Sequence, residues 1–328
     1  MRLLRPVNPR LIVFAMLVAF CLLNRLLAQS TPTAETKALA FLQREVPAWK
    51  QTNGCFSCHN NGDAVRALFA AQQQGYSIPT EAFTDTINWL RAPEHWEENK
   101  GDPGFSDKRL ASLQFAAALL SAIDAGQVKD LAPLHLAARK LIAEQSPDGT
   151  WKIDAGNTLG SPATWGTPLA TWMAWRVLQK AGLPEIIAAR QKAERAIQAM
   201  KPQTVPTAAI LLLMFADATE QTVRTKREES LQFLLRAQTR DGGWGPYADA
   251  PPECFDTAVV LLALNQTRSQ TELSNVIQRG RVYLISQQSP DGSWPATTRP
   301  SGGTSYAQMM STTGWVTLAL LATKTEKR

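Results

Sequence analysis

The sequence predicts an all-helical repeat protein of six helical hairpins, and three observations carry that prediction. The stretch Gln145-Ser-Pro-Asp148-Gly149-Thr-Trp151 recurs as Gln238-Thr-Arg-Asp241-Gly242-Gly-Trp244 and as Gln288-Ser-Pro-Asp291-Gly292-Ser-Trp294, with Gln, Asp, Gly and Trp at constant offsets. The three tryptophans lie 93 and 50 residues apart, and Trp96 and Trp49 fall 55 and 47 residues further upstream. A period of about 47 residues then gives six units from about residue 34 onward, one of them degenerate near Met200-Lys201-Pro202. Each motif also sits between two helical patterns. Leu231, Leu234 and Leu235 precede Gln238, and the more apolar run Thr257–Leu264 follows the loop.

The motif has a physical logic. Asp-Gly makes the turn, because Gly accepts positive φ and Asp bonds its own backbone. The Gln is expected to cap backbone groups across the turn, and the Trp ring to cover the seam between units. These motifs resemble the QW repeats of squalene–hopene cyclases, whose superfamily also includes the β-subunits of protein prenyltransferases. The resemblance spans nearly all of the chain after the N-terminal segment. It implies an all-α (α/α)6 toroid: six inner helices around an axis, six outer helices around those.

Residues 1–28 read as a secretory signal. Arg2, Arg5 and Arg10 precede an uncharged apolar stretch, Leu11 to Leu23, and Leu-Leu-Ala28 offers a cleavage site. That stretch is short for a membrane span. Arg25 behind it leaves an uncleaved anchor, and so membrane association, open. Cys21 is followed by Leu22 and Leu23, not by the small residues of a lipoprotein signal. Residues 29–328 are expected to form one domain that works in the periplasm or outside the cell. Without residues 1–28 the charge falls from +6 to 30 basic against 28 acidic residues. No basic run interleaved with aromatics appears, which argues against nucleic acid.

Unit one opens on an outer helix from Thr33 to Glu45. Trp49 follows, then Gly54-Cys55-Phe-Ser-Cys58-His59. Cys-x-x-Cys-His is the attachment signature of c-type haem: two thiols bind the two vinyl groups, and the next residue puts an imidazole on the iron. Attachment occurs outside the cytoplasm, in agreement with the signal segment. A Cys55–Cys58 disulfide or redox pair remains open, though it has no use for His59. A zinc site would need two more ligands from Cys254, His95 and His135. The motif loop, residues 54–63, links outer to inner helix, with Asn61 or Asp63 as the expected cap. Covalent haem c would then lie at the mouth of the barrel.

Unit two carries His95 on a polar loop and an inner helix from Leu110 to Ala122. Unit three brings Trp165, Trp172 and Trp175, expected as core or cavity wall. In unit four Ala208 to Phe215 is the inner helix, and Lys226 to Glu229 reads as a solvated charge run. Unit five tests the enzyme implication. Squalene–hopene-type cyclases carry Asp-x-Asp-Asp-Thr-Ala with the middle Asp as proton donor. Here the matching run is Glu253-Cys254-Phe255-Asp256-Thr257-Ala258, so Phe255 holds the donor position and Asp256 reads as a helix cap. The prenyltransferase zinc pattern also fails: Pro252 stands where an aspartate is needed, and unit six has no His. Unit six would touch unit one in a closed ring. Met309 and Met310 then face the haem loop, with Met310 the expected second axial ligand beside His59 and His95 the next candidate.

Three functions follow. The first is an exported haem c protein that transfers electrons to a redox partner or acts on an apolar small molecule in the barrel. The second is a cyclase- or prenyltransferase-like lipid enzyme without the donor Asp. The third is a disulfide-stapled binding toroid. The residues favour the first.

Overall fold

The computed structural model describes residues 32–99, 108–153, 159–267, 270–296, 299 and 303–324. The signal-segment reading lies outside these residues. Among the described residues twelve α-helices alternate between outer and inner positions. The outer helices are α1 (Ala34–Asn53), α3 (Thr84–Leu90), α5 (Ala132–Ala143), α7 (Ile187–Ala199), α9 (Gln221–Ala237) and α11 (Gln270–Ser286). The inner helices are α2 (Val65–Gln73), α4 (Lys108–Asp124), α6 (Gly166–Ala181), α8 (Val205–Met214), α10 (Cys254–Asn265) and α12 (Tyr306–Ala322). No strand occurs among the described residues. None of their helices is long and apolar enough to cross a membrane.

Burial separates the two rings. Along α8 every residue but Thr207 is buried, whereas α9 buries only Val223, Ser230, Leu234 and Ala237. A helix apolar all round belongs inside, and one with a single apolar stripe belongs outside. Each inner helix packs on the next, and α12 packs back on α2, so the inner ring is closed.

The recurring motif is the joint between units. Gln145 Nε2 donates to Gly149 O in its own turn, at 3.0 Å, and to Ala189 O on the next outer helix, at 2.9 Å. Gln238 does the same with Gly242 O and Val276 O. Gln288 bonds Gly292 O and Ala34 O, at 3.1 and 2.9 Å, so the last unit is tied to the first by the same device. Each Trp Nε1 donates to a carbonyl ten residues earlier: Trp151 to Leu141, Trp244 to Leu234, Trp294 to Leu284. Each Trp N–H donates to a threonine hydroxyl of the following inner helix: Thr171, Thr257 or Thr313. Gly292 has φ +96°, and a Cβ there would run into the backbone of Lys37 on α1. At the same seam Arg281 donates to Glu35 Oε1 at 2.7 Å and to Leu320 O at 2.6 Å.

Several boundaries move from their expected places. Helix α1 runs past Pro47 and Trp49 to Asn53, because its buried stripe continues from Ala38 through Leu42 to Val46. Helix α4 starts at Lys108 and α8 at Val205, whose leading Thr204 accepts from Thr207 N as a cap. Unit four lacks the Gln and Trp, and a lysine of the next outer helix fills in: Lys226 Nζ donates to the carbonyls of Gln198 and Met200. Lys226 and Arg227 are therefore half-buried ties, and the solvated reading holds only for Glu228 and Glu229.

Gln288 is one of the ties that close the ring, and Gln288→Ala should show it. Loss of two hydrogen bonds to half-buried carbonyls is expected to cost about 1–3 kcal/mol in chemical unfolding. Gly292→Ala should cost at least as much, since it adds backbone strain and overlap. Unchanged stability in both variants would contradict the closure.

Candidate functional site

The Cys55–His59 run forms the entry to the first inner helix. Residues Cys58–Ala64 make a π-helical turn that continues into α2. The cap is Ser57, whose hydroxyl accepts from His59 N and Asn60 N at 3.2 and 3.3 Å. The expected caps have other tasks. Asn61 Oδ1 accepts from Ser57 N, and Asn61 Nδ2 donates to Thr86 Oγ1 and Val46 O. Asn60 Nδ2 donates to Glu45 O and Tyr306 Oη. Asn99 grips the run from unit two: its Oδ1 accepts from Phe56 N at 3.0 Å and its Nδ2 donates to Phe56 O at 2.6 Å. Phe56 stacks on Trp89 at 4.6 Å between ring centres, and Trp49 stacks on Tyr306 at 5.5 Å. The run is held from four sides.

Cys55 is nearly buried, and Cys58 and His59 are partly exposed. No disulfide joins the two cysteines. His59 Nδ1 lies 3.0 Å from Ser311 Oγ on α12. Burial lowers the imidazole pKa to about 4, so the ring is neutral at pH 7. With Nδ1 engaged, Nε2 is the nitrogen left to bind a metal.

The other expected ligands fall elsewhere. Met310 is wholly buried in the apolar core. The residue that meets the site from α12 is its neighbour Ser311. Met309 is only partly buried, with its sulfur 3.9 Å from Thr313 Oγ1. His95 is exposed on a short 3-10 turn and lies 3.0 Å from Glu98. Among the described residues no group of three or more His, Cys, Asp or Glu could hold a metal ion.

Behind His59 the barrel interior is filled. Asp63, Arg66, Trp165, Phe255 and Trp315 converge there, all 4% exposed or less. Trp165 of unit three meets Trp315 of unit six edge to face at 6.0 Å, and Phe255 meets Trp315 at 5.9 Å. Units three and six are opposite each other in a six-membered ring, so these side chains bridge the axis. Asp63 Oδ2 accepts from Gln114 Nε2 at 2.8 Å and from Trp165 Nε1 at 3.0 Å; Arg66 Nη1 lies 3.4 Å from Oδ1. The Arg66 guanidinium sits 4.5 Å over the Trp315 ring, an attractive placement for a cation. Burial raises Asp63 to about 6 against the pull of Arg66, and lowers Arg66 to about 10. Trp165 takes φ +59°, the only non-glycine with positive φ among the described residues. A bulky residue pays for that conformation, and the Trp165–Asp63 bond and ring contacts hold it.

The cyclase motif position is also occupied. Arg299 clamps Asp256 with two bonds, 2.6 and 2.8 Å, and bonds Glu253 and Gly160 O besides. Asp256 is thus an ion-pair partner and not the helix cap; the cap position belongs to Glu253, which makes no side-chain cap bond. Burial lifts Asp256 to about 6 in spite of Arg299. Phe255 offers no proton. Trp172 is buried as core, and Trp175 half-buried.

Ser311, Asn99, Arg66 and Arg299 escaped the sequence reading, which took Asp63 only as a candidate helix cap. One signal was present: Asp63 and Arg66 stand three apart at the start of an otherwise apolar inner helix, where charges must pair. Ser311 and Asn99 meet the site from 252 and 43 residues away, with no local mark.

Comparisons with known proteins agree with this architecture. Residues 187–328 match the family described as squalene-hopene cyclase C-terminal domain. Lanosterol synthase of Saccharomyces cerevisiae is 28% identical over 114 residues, which cover 33% of this chain and 15% of that protein. A type II terpene cyclase from Scytonema, solved with geranylgeranyl dihydroxybenzoate, superposes with TM-score 0.58 at 16% identity, covering 88% of this chain and 96% of the other. An unsaturated glucuronyl hydrolase specific for heparin superposes with TM-score 0.61 at 11% identity, covering 88% and 95%. The fold is therefore that of terpene cyclases, and it is shared with an enzyme that acts on a carbohydrate.

The buried groups set a pH signature in the haem-free protein. Asp63 has a higher pKa folded than its ordinary 3.8, so it favours folding at low pH and that contribution is lost as pH rises through about 6. His59 has a lower pKa folded than its ordinary 6.5, so its contribution is present above pH 6.5 and is lost as pH falls toward 4. The two slopes oppose each other between pH 4 and 6. Relative to wild type, His59→Ala should make the melting temperature fall more steeply with pH across this window, and Asp63→Asn less steeply. Parallel curves for all three would refute these two shifts.

Proposed function

We propose that the chain is an exported c-type haem protein built on a terpene-cyclase-like toroid, and that it passes electrons to a partner protein. One observation carries this reading. Cys55, Cys58 and His59 stand in the order haem attachment requires, on a braced turn, with Cys58 and His59 partly exposed and the imidazole held by Nδ1. In this reading Cys55 and Cys58 would hold the haem covalently and His59 Nε2 would bind its iron. Bound haem would supply one-electron transfer at the mouth of the barrel. The protein's own part is to orient the imidazole through Ser311, to fix the loop through Asn60, Asn61 and Asn99, and to shield it with Phe56, Trp89, Trp49 and Tyr306. The second axial position is left unassigned. The filled interior weighs against an apolar small molecule in the barrel. Export to the periplasm belongs to the proposal and rests on residues 1–28.

The second reading is a lipid enzyme of the cyclase type. It is favoured by the match of residues 187–328 and by the superposition on a terpene cyclase. Against it stand Phe255 at the donor position, the Arg299 clamp on Asp256 and the aromatic rings that bridge the axis.

One preparation separates the readings. The full chain, exported with haem-maturation machinery, should carry haem that survives a denaturing gel. Cys55→Ser with Cys58→Ser should remove it and leave the helical spectrum intact. Wild type without covalent haem, but converting squalene to cyclic products, would replace the proposal by the second reading.

A further inference from the structure

The contact between His59 and the last helix of the chain goes beyond attachment. We infer that Ser311 is the positioning residue for the His59 imidazole. The inference rests on the haem reading of Cys55, Cys58 and His59.

Two features of the site support it. Ser311 is wholly buried, and its hydroxyl lies 3.0 Å from Nδ1, so the bond is shielded from water. One turn further along α12, Gly314 lets the two helices meet: a Cβ there would stand 2.8 Å from the Cα of Ala64. That close approach is what brings Ser311 within reach of a residue 252 positions earlier.

The contact suits the tautomer that iron binding needs. A serine hydroxyl can both donate and accept. When Nε2 gives its lone pair to iron, the ring proton lies on Nδ1, and the Ser311 oxygen 3.0 Å away is placed to accept from it. Were the hydroxyl to donate to Nδ1 instead, the proton would sit on Nε2 and block coordination. A polarised Nδ1–H also makes the imidazole a stronger electron donor, which favours ferric over ferrous iron.

The test is a redox titration of the haem-loaded full chain, followed through the haem absorbance. Ser311→Ala should shift the midpoint potential upward, and Ser311→Thr, which keeps the hydroxyl, should return it close to wild type. Should Ser311→Ala fail to fold, Ser311→Cys keeps the volume, weakens the bond and should give the same upward shift. A lowered melting temperature with an unchanged potential in these variants would reduce Ser311 to a packing residue and overturn the inference alone. Wild type that takes no covalent haem would overturn the haem reading and this inference together.

Discussion

The structure depends on one side-chain amide used three times. In each full motif the glutamine bonds the carbonyl of its own turn and a carbonyl of the next outer helix, so one residue shapes a turn and sets the spacing to the neighbouring unit. A hairpin of one inner and one outer helix cannot bury its apolar faces alone. Stacking buries them in a line, and closure removes the two exposed ends. Because the last glutamine reaches Ala34, closure brings α12 against the entry to α2. The candidate site thus draws its residues from both ends of the ring: Cys55, Cys58 and His59 from the first unit, Tyr306 and Ser311 from the last.

The interior then separates scaffold from chemistry. A toroid can keep its centre open for a large substrate or fill it with its own side chains. Here Trp165, Phe255, Trp315 and the Asp63–Arg66 pair meet across the axis. Arg299 holds the carboxylate that aligns with the cyclase motif. Likeness to both a terpene cyclase and a glucuronyl hydrolase shows how little this fold alone says about reaction type. The buried ion pair is a costly way to fill a core, since apolar packing is often as stable. Its carboxylate also takes bonds from Gln114 and Trp165, and its guanidinium lies over Trp315, so the pair joins units one, two, three and six in one network.

Much of the fold was legible because repeats write it several times over. Constant offsets between Gln, Asp, Gly and Trp revealed the turns, and the tryptophan spacing revealed the unit count. Where the motif decays, in unit four, no local pattern marks Lys226 of the next helix as doing the work of the missing glutamine. The site was half legible. Cys55, Cys58 and His59 form a local pattern whose spacing has a chemical reason. Met310 was expected at the site because of its residue type and its place near the seam. Helical phase put its neighbour Ser311 there instead, and one position on a helix is a rotation of about 100°. Phase at a closure contact depends on how closely two helices approach. That is set by Gly314 against Ala64, a contact between distant residues that no local pattern announces.

The central claim, that closure of the ring holds the site, is tested most directly by amide hydrogen exchange on the full chain with Gln288→Ala. Closure predicts faster exchange in three places: the mutated turn, the start of α1, and the Cys58–Ala64 turn, which the substitution does not touch. Faster exchange confined to residues near Gln288, with the Cys58–Ala64 amides protected as in wild type, would contradict it.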